Sequence, residues 1–381
     1  QELGAFFFEG ACWERPAWFE ANAPLVAELG DAGVAFPDRD AWSGKFYSPI
    51  SIAEARWTRD HVALYDMTPL TRYEVSGQGA CAFLQQMTTN NVDKRAGAVT
   101  YTLLLDDTGG IRSDLTVARL GENRFQVGAN GPLDMDWLTR HLPDDGVTIR
   151  DITGGTCCVG VWGPHARDLV APLCAADISH EAFGYFRAIE TFIGSVPVTM
   201  MRVSYVGELG WEIYTSAEHG GKLWDLLYAA GHRYRAIAAG RIAFNSLRLE
   251  KGYRSWGTDI TAEHLPDAAG VGFAVSKKKD FLGKAALDSA GAPAKMLRSI
   301  VFDDAGALVL GKEPVSVAGS VVGYITSAGY SATIGRSIAY AWLPADVAVG
   351  DGVDVAYLDQ TYTATVHAEP VVDPDMSLIR R

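Results

Sequence analysis

The 381-residue chain contains no apolar run approaching the roughly 20 residues that cross a bilayer, so no membrane span is expected. Positive charge is in deficit: 33 Lys and Arg against 46 Asp and Glu leave a net charge of −13. Nucleic-acid binding relies on clustered cations that displace counterions from phosphate, so that partner class is excluded. Cysteine is sparse. The five residues Cys12, Cys81, Cys157, Cys158 and Cys174 show no CxxC or metal spacing, which points to free thiols in a reducing compartment, the cytoplasm. Cys157 and Cys158 lie in an apolar run ending at Trp162 and read as strand packing. The eight histidines are scattered and none is paired at helical spacing, so no metal is expected. No GxGxxG follows a strand-like run, and no nucleophile motif is present. The opening Gln1-Glu-Leu-Gly has neither a methionine nor the charged-then-apolar pattern of a signal peptide, as expected of a trimmed or processed end.

What the chain does have is a soluble, globular composition, 48% hydrophobic and 21% charged, and enough length for two or three domains. Two runs stand out, Thr100 to Val117 and Arg202 to Tyr214. Each places carboxylates and tyrosines on short β-segments joined by glycine turns, a pattern suited to a pocket for a flat, polar heterocycle. An aromatic leader (Phe6-Phe-Phe8, Trp13, Trp18) interrupted by prolines reads as an irregular lid or wrapping segment over 1–48. Apolar spacing predicts helices over 51–63, 80–87, 133–141, 221–230 and 238–252. Strands are predicted at 101–105, 114–120 and 124–128, with Asp107-Thr-Gly-Gly110 as a hairpin turn, and at 197–205 and 210–215. The repeated strand, glycine turn, strand, helix order hints at a duplicated α+β unit, divided as 49–150 and 151–290. From 291 to 381, six short β-rich runs at regular turn spacing indicate a separate barrel or sandwich.

Several ordered motifs resemble the glycine-cleavage T-protein (aminomethyltransferase) family. They are Tyr47 to Trp57, Leu64-Tyr-Asp-Met-Thr68, Gly109-Gly-Ile-Arg-Ser-Asp-Leu-Thr-Val117, Ser204-Tyr-Val-Gly-Glu-Leu-Gly-Trp-Glu-Ile213, Ser246-Leu-Arg-Leu-Glu-Lys-Gly252, Gly323 to Ser331 and Asp373 to Arg381. The leader Gly10 to Trp18 and the form Ser-Asp-Leu-Thr are most similar to the folate-binding half of dimethylglycine oxidases and dehydrogenases and sarcosine dehydrogenases. Such enzymes carry a flavin domain ahead of this region, so the chain is expected to be either a free-standing relative or a piece of a larger one. The implied fold is α+β, a three-domain ring with antiparallel sheets and a C-terminal β-barrel.

The resemblance implies bound tetrahydrofolate, with Asp114 at the family's catalytic aspartate and Thr116 on the same strand face two residues on. Glu212 falls on the pterin-binding glutamate, where a carboxylate suits two adjacent N–H donors. Tyr185 and Tyr205 match aromatic positions around the folate, and Tyr101, Asn130 and Trp256 are further candidates for the pocket wall. Glu208 reads as a solvated turn residue. The run Lys277-Lys-Lys279 either draws in the anionic folate tail or is a solvated face. T-proteins have an arginine where this chain has Phe244, which argues against lipoyl-carrier chemistry. Relatives that assist iron-sulfur assembly or tRNA modification carry a cysteine where this chain reads Lys251-Gly-Tyr-Arg254. The implied activity is one-carbon transfer from a methylated amine, its iminium or formaldehyde to tetrahydrofolate, with a flavin-dependent oxidase domain or subunit as a partner. The alternatives are O-, N- or S-demethylation and a non-catalytic folate-binding role.

Overall fold

A computed structural model describes residues 2–38, 43 and 47–381. The expected leader segment is a hairpin rather than an irregular strap, and its 39–42 and 44–46 portions lie outside the described residues. Strand β1 (Ala5–Gly10) pairs antiparallel with β2 (Trp13–Phe19), and α1 (Pro24–Asp31) follows. Helix α2 (Pro49–Asp60) starts where the Ser48 hydroxyl accepts the Ile50 N–H at 3.2 Å and Pro49 takes the first helical position.

Next in order come β3 (Ala63–Asp66), β4 (Thr71–Ser76), α3 (Ala80–Met87), β5 (Val99–Leu105), β6 (Ile111–Arg119), β7 (Arg124–Ala129), α4 (Pro132–Arg140) and β8 (Thr148–Asp151). These are followed by β9 (Thr156–Trp162), α5 (Ala166–Val170), β10 (Ala188–Ile193), β11 (Val196–Met201), β12 (Gly210–Ser216), α6 (Gly220–Gly231), β13 (Ile237–Ala238) and α7 (Arg241–Glu250). Helix α8 (Lys284–Ser289) leads to β14 (Lys295–Phe302), β15 (Pro314–Val317), β16 (Ser320–Ser331), β17 (Arg336–Pro344), β18 (Gly352–Tyr357) and β19 (Gln360–His367). No helix among the described residues is long and apolar enough to cross a membrane.

The architecture is α+β. A five-stranded sheet runs β5-β6-β7-β4-β8 and a six-stranded sheet β10-β11-β12-β9-β3-β13, while β14 to β19 close into the expected barrel. Pairing is antiparallel except between β13 and β3. The first two sheets meet at their edges, where Val99 N–H donates to the Phe186 carbonyl at 3.0 Å and Ala188 N–H to that of Gly97 at 2.8 Å. That junction brings the loop carrying Tyr185 beside β5. Two boundaries differ from the sequence reading. Strand β11 stops at Met201, leaving 202–209 as a loop, and α7 begins at Arg241 because Ile237 and Ala238 pair with Ala63 and Leu64.

The apolar faces of β4, β6 and β7 close over α3 through Tyr73, Leu84, Leu115 and Phe125. A second core joins three units: Leu103 of β5, Leu249 of α7, and Tyr340 and Trp342 of the barrel pack together. Burying each such side chain contributes on the order of 1.5–3 kcal/mol.

Candidate functional site

Alternation along β6 buries Ser113, Leu115 and Val117 and leaves Asp114 and Thr116 half-exposed on one face. Tyr101 lies opposite Thr116 in the neighbouring strand. Its hydroxyl donates to Asp114 Oδ2 at 3.0 Å, and Asn130 Nδ2 donates to Oδ1 at 2.9 Å. The Asn130 amide is itself held, its Nδ2 reaching the Ser113 hydroxyl at 2.9 Å and its backbone N–H reaching Asp134 at 2.8 Å. Burial raises the Asp114 pKa above its ordinary value against the pull of Asn130 and Tyr101, and a nearby Asp259 adds to the rise. The carboxyl is therefore oriented by two donors and primed to exchange a proton.

Glu212 sits on β12, opposite Gly160 of β9, and accepts a hydrogen bond from the Tyr214 hydroxyl. Its pKa is raised by burial, against the pull of Tyr214 and Arg72. Between the two carboxylates runs an arc of aromatic residues. Tyr205 stacks on Tyr253 at 5.6 Å and on Phe244 at 5.2 Å, and Tyr185 lies close enough to Tyr253 to influence it. Tyr205, pushed up to about 12 mainly by burial, is close enough to Asp114 to feel its charge, and Tyr185 feels that of Glu212. The structure thus brings Asp114, Tyr101, Asn130, Tyr205, Tyr185 and Glu212 to one region. Trp256 packs in the same apolar cluster as Tyr101, and Thr116 presents its side chain without a hydrogen-bond partner among the described residues.

Two readings need correction. Glu208 is 1% exposed, not solvated: Arg59 of α2 donates to it at 3.1 Å and to Glu250 at 2.7 Å. A turn motif reports local geometry, and the arginine that covers this one is supplied from far away in sequence. In the lysine run, Lys277 and Lys278 are exposed, but Lys279 folds inward to donate to the Thr88 carbonyl at 2.6 Å, and burial lowers it to about 8. Sequence reasoning also missed Asp134, Tyr214 and Phe273. Phe273, 77% exposed, stacks on Tyr101 at 5.8 Å. Asp134 could have been found as an acid in the first turn of α4, after Gly131-Pro132.

A model of the GCVT N-terminal domain matches residues 1–279, and one of the glycine cleavage T-protein C-terminal barrel domain matches 295–373. The chain belongs to the glycine-cleavage T-protein family. Mitochondrial dimethylglycine dehydrogenase of Rattus norvegicus is 31% identical over 376 residues, covering 95% of this chain and 42% of that protein. The 4-methylaminobutanoate oxidase (formaldehyde-forming) of Paenarthrobacter nicotinovorans is 32% identical, covering 100% of this chain and 46% of that protein. The chain therefore spans less than half the length of these two relatives. Aminomethyltransferase of Cupriavidus pinatubonensis (strain JMP 134 / LMG 1197) is 32% identical, covering 93% of this chain and 98% of that protein. The solved glycine cleavage system aminomethyltransferase T from Bartonella henselae shares the fold, with a TM-score of 0.82 over 97% of this chain and 95% of that one at 22% identity. In this T-protein-family chain, Phe244 is 2% exposed beneath Tyr205, and the guanidinium of Arg241, one helical turn earlier, lies 4.6 Å from its ring.

Proposed function

We propose that the chain is a tetrahydrofolate-dependent one-carbon transferase that takes a methylene or methyl unit from an N-methylated amine, or from its iminium or formaldehyde. The observation that carries this reading is the Asp114 carboxyl, oriented by Tyr101 and Asn130 at one end of an aromatic arc whose other end is Glu212. The residues present suit a reduced pterin. Glu212 has one oxygen engaged by Tyr214 and keeps acceptor capacity for paired N–H donors. Tyr205, Tyr185 and Trp256 offer flat apolar surface, and Thr116 lies beside Asp114.

Bound tetrahydrofolate supplies the N5 and N10 nitrogens that accept the one-carbon unit. Asp114 holds or returns a proton at those nitrogens and stabilises positive charge developing there. Tyr101 and Asn130 fix the carboxyl's direction, and the tyrosine arc keeps water from the reacting atoms. The names of the longer relatives, a dehydrogenase and an oxidase, support a flavin-dependent oxidase domain or subunit as the source of the donor.

Anaerobic calorimetric titration with tetrahydrofolate tests this. Wild type is expected to bind in the micromolar range. Glu212→Ala is expected to weaken binding about 10- to 100-fold, the worth of a charged hydrogen bond of roughly 1.5–3 kcal/mol. Absence of binding to the wild-type chain would sink the proposal.

A further inference from the structure

One of the two donors that orient Asp114 is anchored from inside the protein. Asn130 is exposed, and an exposed amide moves between rotamers unless something ties it. Two buried side chains do so, Ser113 at 0% and Asp134 at 2% exposure. Asp134 Oδ2 accepts the Ser113 hydroxyl and the Asn130 backbone N–H, each at 2.8 Å. With its only proton committed to Asp134, the Ser113 oxygen can only accept, and it takes Asn130 Nδ2 at 2.9 Å. The same Nδ2 reaches the Asp114 carbonyl at 2.8 Å and Oδ1 at 2.9 Å. Every group that meets this end of the amide is an acceptor, so Asn130 presents its NH₂ and not its oxygen to Asp114.

The start of α4 is built around that contact. Gly131 takes a φ of 148°, which favours glycine, its carbonyl accepts the Tyr73 hydroxyl at 2.6 Å, and Pro132 fills the first helical position. Asp134 takes the Asn130 N–H and returns its own N–H to the Gly131 carbonyl at 3.1 Å. An acid in the first turn also suits the helix dipole. Capping alone does not account for the bond to Ser113, the residue immediately before Asp114. Nor does charge. Asp114 is faced by Tyr101 of β5, Tyr205 and Asp259, and Asp134 by Tyr73 of β4, Arg112 of β6 and Asp114 itself. A second carboxylate at that place works against ionisation of the first, so what Asp134 contributes to Asp114 is its acceptor geometry.

We propose that Asp134 is a positioning residue for Asp114, acting through Ser113 and Asn130, and, resting on the transfer reading above, that one-carbon transfer depends on the alignment it imposes.

The test compares two substitutions that both remove the Asp134 charge. Asp134→Asn keeps an acceptor oxygen for the two donors, and Asp134→Leu, of similar shape, keeps none. The titration of Asp114 is followed in the full chain by carbon-13 NMR of its carboxyl, assigned by the signal lost in Asp114→Asn. Asp134→Leu is expected to titrate about 0.5–1 pH unit above Asp134→Asn, because a donor to the charged carboxylate is loosened. With Asn130→Ala added to each, the two are expected to coincide, since the route runs through that amide. Ser113→Ala is expected to raise Asp114 by a similar amount and to add nothing once Asn130→Ala is present, and this pair decides if Asp134→Leu does not fold. Equal titration of the Leu and Asn variants, or a difference that persists without Asn130, overturns the assignment. In a transfer assay Asp134→Leu is expected to lower kcat about 10- to 100-fold relative to Asp134→Asn, with KM within a few-fold. Equal kcat in the two variants of an active enzyme overturns the dependence of transfer on this alignment. The NMR comparison needs no folate, so a wild type without transfer activity defeats the transfer reading and leaves the positioning of Asp114 to be judged by the titrations alone.

Discussion

Asp114 is where sequence and chemistry meet most directly, and its pH behaviour follows from its surroundings. Burial lifts its pKa above the ordinary value, while the hydrogen bonds from Asn130 and Tyr101 pull it down. A base must be ionised to act, so the acid limb of kcat/KM is expected to inflect above the ordinary aspartate range. Tyr101→Phe removes one donor to the charged form, worth about 1 kcal/mol, so the limb should move up by roughly 0.5–1 pH unit. A limb that stays put would mean that Asp114 is not the titrating group. Asp114→Asn should instead lower kcat by about 10²–10⁴ while leaving tetrahydrofolate affinity within a few-fold. Much of this was legible, because Asp114, Thr116, Tyr205 and Glu212 lie in ordered motifs. Tyr214 was not, although it stands only two residues from Glu212, because a tyrosine on a strand face looks the same whether it packs or donates.

At the scale of elements, the leader hairpin and α7 are joined through one buried carboxylate. Glu54 of α2 accepts the Phe19 N–H at 2.8 Å and the Asn22 amide at 2.7 Å on one oxygen, and the Gly240 N–H at 2.8 Å on the other. All three donors are neutral, and burial raises Glu54 to about 8. Because its folded pKa exceeds the unfolded value, the folded state holds the extra proton between about pH 4.5 and 8. The Glu54 contribution to stability is therefore full below that window and is lost as pH rises through it. Glu54→Gln turns an N–H₂ toward one of the N–H donors, at a cost of about 1–3 kcal/mol at low pH, and removes the slope. Thermal denaturation from pH 5 to 8 should show a lower but flatter profile, and an unchanged slope would exclude Glu54 as its source. None of this could be read beforehand. The β1–β2 turn uses Ala11 and Cys12 at φ of 54° and 64°, where Asn-Gly would have announced a hairpin. The six barrel strands were read from their apolar runs and regular spacing, although two of their turns likewise place non-glycine residues, Ala318 and Leu358, at φ of 50° and 52°.

For the whole molecule, α7 is the joint through which the sheets and the barrel meet. Arg248 donates to Asp259, which also accepts the Thr326 hydroxyl of β16 at 2.6 Å and the Ser255 N–H at 2.8 Å. Glu250 takes Arg59 of α2 on one side and the Ser331 and Thr333 hydroxyls on the other, at 2.5 and 2.9 Å. The Ser246 to Gly252 motif thus serves assembly as much as chemistry, a role that local pattern could not reveal because Arg59, Ser327, Ser331 and Thr333 are distant in sequence. Asp259→Ala leaves Arg248 buried without its counter-ion, a change that costs about 3–5 kcal/mol. Since Asp114 and Glu212 stand on different sheets, folate binding should stabilise the assembled state and raise the melting temperature of the wild type. In Asp259→Ala, calorimetry is expected to show an earlier transition, with the barrel melting apart from the sheets, and a smaller folate-induced rise. A variant that melts in one step with the full ligand shift would show that the shared core of Leu103, Leu249 and Trp342, rather than the ion pairs of α7, couples the barrel to the site.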